Sequence, residues 1–131
     1  YNYRLPNLNA ALGCAQLEQL PGMLAAKRAL FERYRAAFES VRGVTLMAEP
    51  DACRSNYWLH TLLLDPAQAD QRDRVLRVTN EAGFMTRPAW VLLHELTPFK
   101  SAPRMDLACA ESLSRRIVNI PSSATLIPVA V

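Results

Sequence analysis

A stripe of apolar side chains, Leu30, Tyr34, Ala37, Phe38 and Val41, recurs at i, i+4, i+7, i+8 and i+11. That spacing marks one face of an α-helix running from Met23 to Arg42, and such a face has to be buried against a second layer. The opposite side carries Arg28–Glu32 and Arg35–Glu39 at i,i+4, pairs worth only about 0.2–0.5 kcal/mol each. Gly43 is the expected left-handed stop. The run Ser55–Leu64, SNYWLHTLLL, reads as a central strand ended by Asp65-Pro66.

Other elements follow from their punctuation. Pro6 suits a helix start, and Asn7–Leu20 has helical spacing before Pro21-Gly22 breaks it. Val44–Met47 and Phe84–Arg87 read as short strands, the latter cut by Pro88, and Ala67–Ala82 as a helix closed by Gly83. Asp106 looks like an N-cap for a last helix with Leu107, Ala110, Leu113 and Ile117 at helical spacing. The ordered part should then end at Asn119-Ile120-Pro121. The order α-α-β-β-α-β-α predicts an α+β sandwich with helices on one side of a small sheet. Ala89–Met105 fits no element, and a connection of that length in a compact domain is often functional.

The chain has 131 residues, half of them apolar and 21% charged. That supports one domain burying roughly two-thirds of its unfolded surface and excludes a disordered chain. No apolar run approaches the ~20 residues of a membrane-spanning helix, and the start has no signal-peptide pattern. The first residue is Tyr1, so the chain reads as a piece of a longer protein. Thirteen Arg and two Lys against 12 acids leave a net charge of +3. Acids alternate with arginines along the chain, unlike the one-sided basic face of a nucleic-acid domain. Cys14, Cys53 and Cys109 are odd in number and widely spaced, which argues against a disulfide framework or a zinc site. Cys14 and Cys109 lie among alanines and leucines and read as buried thiols in a reducing, cytoplasmic setting. His60 and His94 lack a second ligand at helical spacing, so no metal set is expected, and no glycine-rich phosphate loop is present.

Local clusters supply the candidate site residues. In Tyr1-Asn2-Tyr3-Arg4 the Asn2 amide and Arg4 guanidinium offer seven N–H donors between them to an anion such as a phosphate; the same residues also fit a frayed end. In Arg87–His94, Trp90 either stacks on a planar ring or fills core space. His94 either bonds a sugar hydroxyl or phosphate or sits at the surface. Ser55-Asn56-Tyr57-Trp58 reads as a capped strand start with cross-strand packing, and Arg115-Arg116 as basic residues at a helix C-terminus.

The opening Asn2-Tyr3-Arg4-Leu5-Pro6-Asn7-Leu8-Asn9-Ala10-Ala11-Leu12-Gly13, followed by Ala15-Gln16-Leu17-Glu18, resembles the NYR-to-QL signature of the DegT/DnrJ/EryC1/StrS sugar-nucleotide aminotransferases. The helix carrying Arg28, Arg33 and Tyr34, the Tyr57–Leu64 strand and the stretch EAGFMTRPAW look like that family too. Arg87–His94, Pro103-Arg104-Met105-Asp106 and ESLSRRIVNIPSS look most like the branch that aminates UDP-4-keto-6-deoxy sugars on the way to bacillosamine or legionaminic-type products. The resemblance covers nearly the whole chain. It implies the small C-terminal domain of a fold-type-I aminotransferase, with residues 1–20 a linker helix region and 21–131 a small α/β sandwich. The large N-terminal domain that binds pyridoxal 5'-phosphate would precede it.

The implied reaction moves an amino group from glutamate to a nucleotide-linked keto sugar. The implied assembly is a cytoplasmic homodimer with shared active sites, without nucleic acid or membrane. Residue by residue, the resemblance assigns Asn2 to the cofactor phosphate of the partner protomer, and Tyr3, Arg4, Arg87, Trp90 and His94 to the substrate. It places the Schiff-base lysine upstream: Lys27 falls on the polar side of a helix and Lys100 in a loop, and both read as non-catalytic. A relative that has lost that lysine and senses sugar nucleotides or pyridoxal phosphate fits the same residues. A nucleic-acid module fits poorly, because Glu32 and Glu39 neutralise the arginine face.

Overall fold

The computed structural model describes residues 3–127. Helix α1 spans Asn7–Phe38 without interruption. The expected break at Pro21 does not occur. Pro21 and Gly22 both lie on the exposed side, so the Leu17 carbonyl that Pro21 cannot serve faces solvent, and nothing lies within 4 Å of where a Gly22 Cβ would stand. The buried residues Ala26, Leu30 and Phe31 all belong to the C-terminal half, where tertiary packing fixes the helix. The helix ends at Phe38 rather than Arg42, and Gly43, at φ +83°, turns the chain into the first strand.

Strands β1 (Val44–Leu46), β2 (His60–Leu64), β3 (Arg87–Pro88) and β4 (Ile117–Ile120) form one antiparallel sheet in the order β1-β2-β4-β3. Along β2 burial alternates, with His60, Leu62 and Leu64 on the covered face. They pair with Ile120 and Val118 of β4 and with Leu46 and Val44 of β1. Leu62, Val118 and Ile120 form the core, against Tyr34 and Phe38 of α1 and Val75 and Leu76 of α2 (Arg72–Glu81). The architecture is α+β, helices over one face of a small sheet, as expected.

Several elements differ from expectation for local reasons. β4 takes Ile117–Ile120, of which Ile117 had helical spacing. Helix α3 (Ala108–Ser114) stops earlier, where Arg115 Nε and Arg116 Nε donate to the carbonyls of Glu111 and Ser112 at 3.2 Å each. The N-cap is Leu107 rather than Asp106, which lies one residue earlier and accepts from the Ala108 N–H at 3.1 Å. Residues Pro66–Gln71 form a 3₁₀ turn before α2 instead of its first turns. β3 includes Pro88, because it lies at the sheet edge, where a missing N–H is tolerated. The expected helix pairs are replaced: Arg28 pairs with Glu49 and Arg35 with Glu32. Cys14, Cys53 and Cys109 are all exposed, so the buried-thiol reading of Cys14 and Cys109 fails. Cys14 lies in the half of α1 that holds no buried residue, and α3, which carries Cys109, holds none either.

Candidate functional site

The sequence from Ser55 onward does not enter the strand directly. Tyr57 adopts φ +46°, the one positive φ at a non-glycine among the described residues. For a bulky side chain that conformation costs roughly 1–3 kcal/mol and persists only where its surroundings enforce it. Here they do. The Ser55 hydroxyl accepts from the Tyr57 N–H and the Asn56 side-chain oxygen from the Trp58 N–H, both at 2.9 Å. The Tyr57 ring stacks on Phe31 at 4.4 Å between centroids and lies 5.4 Å from the Arg28 guanidinium.

Two consecutive residues of α1 grip this segment. Lys27 Nζ donates to the carbonyls of Tyr57 and Trp58, at 3.1 Å each, and of Ser122, at 2.6 Å. Arg28 donates to both carboxylate oxygens of Glu49, at 2.9 and 3.2 Å, and to the Ser55 carbonyl at 2.7 Å. Glu49 in turn accepts from the Ser55 N–H. The bond from Arg28, followed by that from Ser55, holds the Glu49 carboxyl below its usual range. Burial lowers Lys27 from its ordinary value. The expected place of Lys27 on a polar helix side is therefore corrected: its stem spans the helix–sheet junction, and three carbonyls occupy its three N–H donors.

Beside this junction lies a groove of about 800 Å³, lined among others by Lys27, Tyr34, Trp58, Arg87, Asn119 and Ser122. Trp58 and Trp90, 65% and 69% exposed, stack on each other at 5.9 Å with 23° between their planes. Trp90 is therefore no core filler. In the register of the sheet Arg87 stands opposite Asn119, which stands opposite Thr61. Thr61 donates to the Asn119 side-chain oxygen at 2.8 Å, and the Asn119 amide to the Pro88 carbonyl at 3.2 Å. The exposed Arg87 makes no side-chain hydrogen bond or ion pair with any described residue, which leaves a free planar cation at the groove wall.

The other expected residues are dispersed. Asn2 lies outside the described residues. Tyr3 and Arg4 precede α1 and are exposed; the helix, roughly 48 Å long at 1.5 Å per residue, carries them away from its buried half. His94 is half-buried and meets Glu111 at 3.1 Å, in a smaller apolar pocket with Leu92, Phe99 and Leu107. The structure thus places Arg87 and Trp58 on one groove and stacks Trp90 on Trp58, while His94 lines a different pocket. Sequence reasoning missed Lys27, Arg28, Glu49 and the display of Trp58. The one available signal was Ser55-Asn56, two side chains able to cap their own backbone. Pyridoxal phosphate requires a lysine amine free to form a Schiff base. Lys27 is occupied by three carbonyls, and Lys100 is exposed after the 3₁₀ turn Thr97–Phe99.

Stacked indoles beside an unpaired guanidinium suit a ligand that carries both a ring and a negative charge, as a nucleotide-linked metabolite does. The family model described as the DegT/DnrJ/EryC1/StrS aminotransferase family matches residues 1–131, and the chain belongs to that family. It is 36% identical over 130 residues to a Bacillus subtilis protein assigned as the pyridoxal phosphate-dependent aminotransferase EpsN, covering 96% of this chain and 33% of that one. It is 31% identical to GDP-perosamine synthase of Vibrio cholerae, covering 93% and 33%. The fold matches Helicobacter pylori PseC, an aminotransferase of pseudoaminic acid biosynthesis, with a TM-score of 0.86 at 18% identity over 97% of this chain and 34% of that chain. The chain spans about a third of the length of the relatives it matches.

Proposed function

We propose that this chain is the C-terminal part of a pyridoxal phosphate-dependent aminotransferase that moves an amino group from glutamate to a nucleotide-linked keto sugar, for bacterial glycan biosynthesis. The observation that carries this reading is the unpaired Arg87 beside the stacked Trp58–Trp90 pair. Arg87 offers a planar fork of donors to a phosphate or carboxylate, and the indoles offer a flat face to a base or sugar ring. Asn2 is assigned to the cofactor phosphate, Tyr3 and Arg4 to the substrate, and His94 to a supporting contact through Glu111. The working form is a cytoplasmic homodimer with shared active sites. The cofactor, when bound, supplies the group that takes the amine from one substrate and passes it to the other. Its lysine belongs to the part of the protein beyond this chain.

The test is on the full-length protein. Loaded with pyridoxal phosphate and reduced with borohydride, it should carry one modified lysine outside residues 1–131. A label on Lys27 or Lys100 overturns that assignment, and no label at all favours the non-catalytic sensor. Arg87→Ala should raise KM for the nucleotide sugar about tenfold or more, the worth of one charge-assisted hydrogen bond. An unchanged KM removes Arg87 from the site.

A further inference from the structure

A strand running straight from Ser55 would put residues 58 and 60 on one face, since side chains alternate with period two. The structure departs from that. His60 is 1% exposed and Trp58 65% exposed, while Tyr57 is buried and stacked on His60 at 5.5 Å. The reversal occurs at Tyr57, where the backbone turns left-handed at φ +46°. Beyond the Ser55 and Asn56 side chains within the segment, two groups reach the turn from other elements. Arg28 reaches it from α1, at the Ser55 carbonyl and over the Tyr57 ring. Glu49 reaches it from the loop after β1, at the Ser55 N–H. The outcome is a large apolar ring held in solvent at the edge of the groove and seated on Trp90. Burying Trp58 would remove more apolar surface from water, so the turn sets the ring outward against its own hydrophobicity.

We propose that the Arg28–Glu49 pair is a positioning device: it locks the left-handed turn at Tyr57 and thereby fixes Trp58 on Trp90 as a flat surface for the ring of the nucleotide-sugar substrate. The substrate half of this statement rests on the function proposed above; the positioning half does not. Arg28 and Glu49 touch no substrate and act through the backbone of 55–58.

The test uses the full-length protein with Glu49→Gln, which keeps shape and removes the charge, and with Asn56→Ala. The latter is an exposed change that deletes only the hydrogen bond to the Trp58 N–H. The indole pair is read as the near-ultraviolet circular dichroism difference between wild type and Trp90→Phe. In Glu49→Gln this difference signal should vanish, and in Asn56→Ala it should fall. KM for the nucleotide sugar should rise about tenfold in Glu49→Gln, with KM for glutamate unchanged. General loss of stability would not split the two substrates in this way. A retained signal with an unchanged KM in both variants overturns the proposal. If Glu49→Gln does not fold, Asn56→Ala decides alone. A wild type that aminates no nucleotide sugar refutes the proposed function, while the dichroism still tests the lock.

Discussion

His60 sits at the centre of the fold with a ring nitrogen that no described residue serves. It is 1% exposed, and its Nε2 lies 3.2 Å from the Lys27 carbonyl. Nδ1 has no hydrogen-bond partner, and the rings of Phe31, Tyr34 and Tyr57 surround the imidazole at 5.4–6.3 Å. A neutral ring that donates through Nε2 satisfies this cage; a protonated one places an N–H on Nδ1 without an acceptor. Burial is the main cause that pushes His60 below its ordinary 6.5, with Lys27 adding charge repulsion and the carbonyl bond opposing both. The unfolded chain therefore takes up this proton before the folded one does. Stability attributable to His60 is constant above 6.5 and falls as pH drops below it. The slope is at most about 1.4 kcal/mol per pH unit, so the loss by pH 5 is at most ~2 kcal/mol. The assay is urea unfolding at pH 7 and pH 5 for the protein and for His60→Leu. The wild-type midpoint should fall further, by up to about 1 M given a typical slope of ~2 kcal/mol per M. Parallel shifts in the two proteins would refute the reasoning.

Two further outcomes test the packing. Lys27→Met keeps the apolar stem but leaves the part-buried Tyr57 and Ser122 carbonyls without their charged donor, so stability should fall by about 2–4 kcal/mol in chemical unfolding; a loss below half of that would make the three contacts incidental. Pro21→Ala restores an N–H to the Leu17 carbonyl in an exposed helix interior and should raise both the melting temperature and helical dichroism, worth up to about 3 kcal/mol.

The sequence was legible where one periodicity spoke alone. Leu30, Tyr34 and Phe38 of the stripe do pack, while Ala37 is exposed and Val41 lies beyond the helix, and Gly43 does turn left-handed. It misled where two rules competed. Pro21 is a breaker by chemistry, yet the helix runs through it, its C-terminal half held by the packing of Ala26, Leu30 and Phe31. Ile117 fits a helical spacing and an edge-to-centre strand equally, and pairing with Leu63 decides it. Arg28 had a partner four residues on, but Glu49, brought near by the loop after β1, offers two oxygens in a fixed frame. Of the candidate site, Trp90 was readable because it stands in a stretch that fits no element, and Arg87 because it ends the short strand read just before that stretch. Trp58 was not, since its exposure depends on a backbone angle at the residue before it.

The sheet's edges carry a further consequence. One edge is β3, two residues long and containing Pro88, and the other is β1, of three residues. Neither offers a row of free N–H and C=O groups long enough to template a fifth strand. Growth by strand addition, the usual route by which small sheets recruit copies of themselves, is closed at both ends. Contacts made by the described residues then fall to side chains on helices and loops, whose specificity mutation can tune one residue at a time.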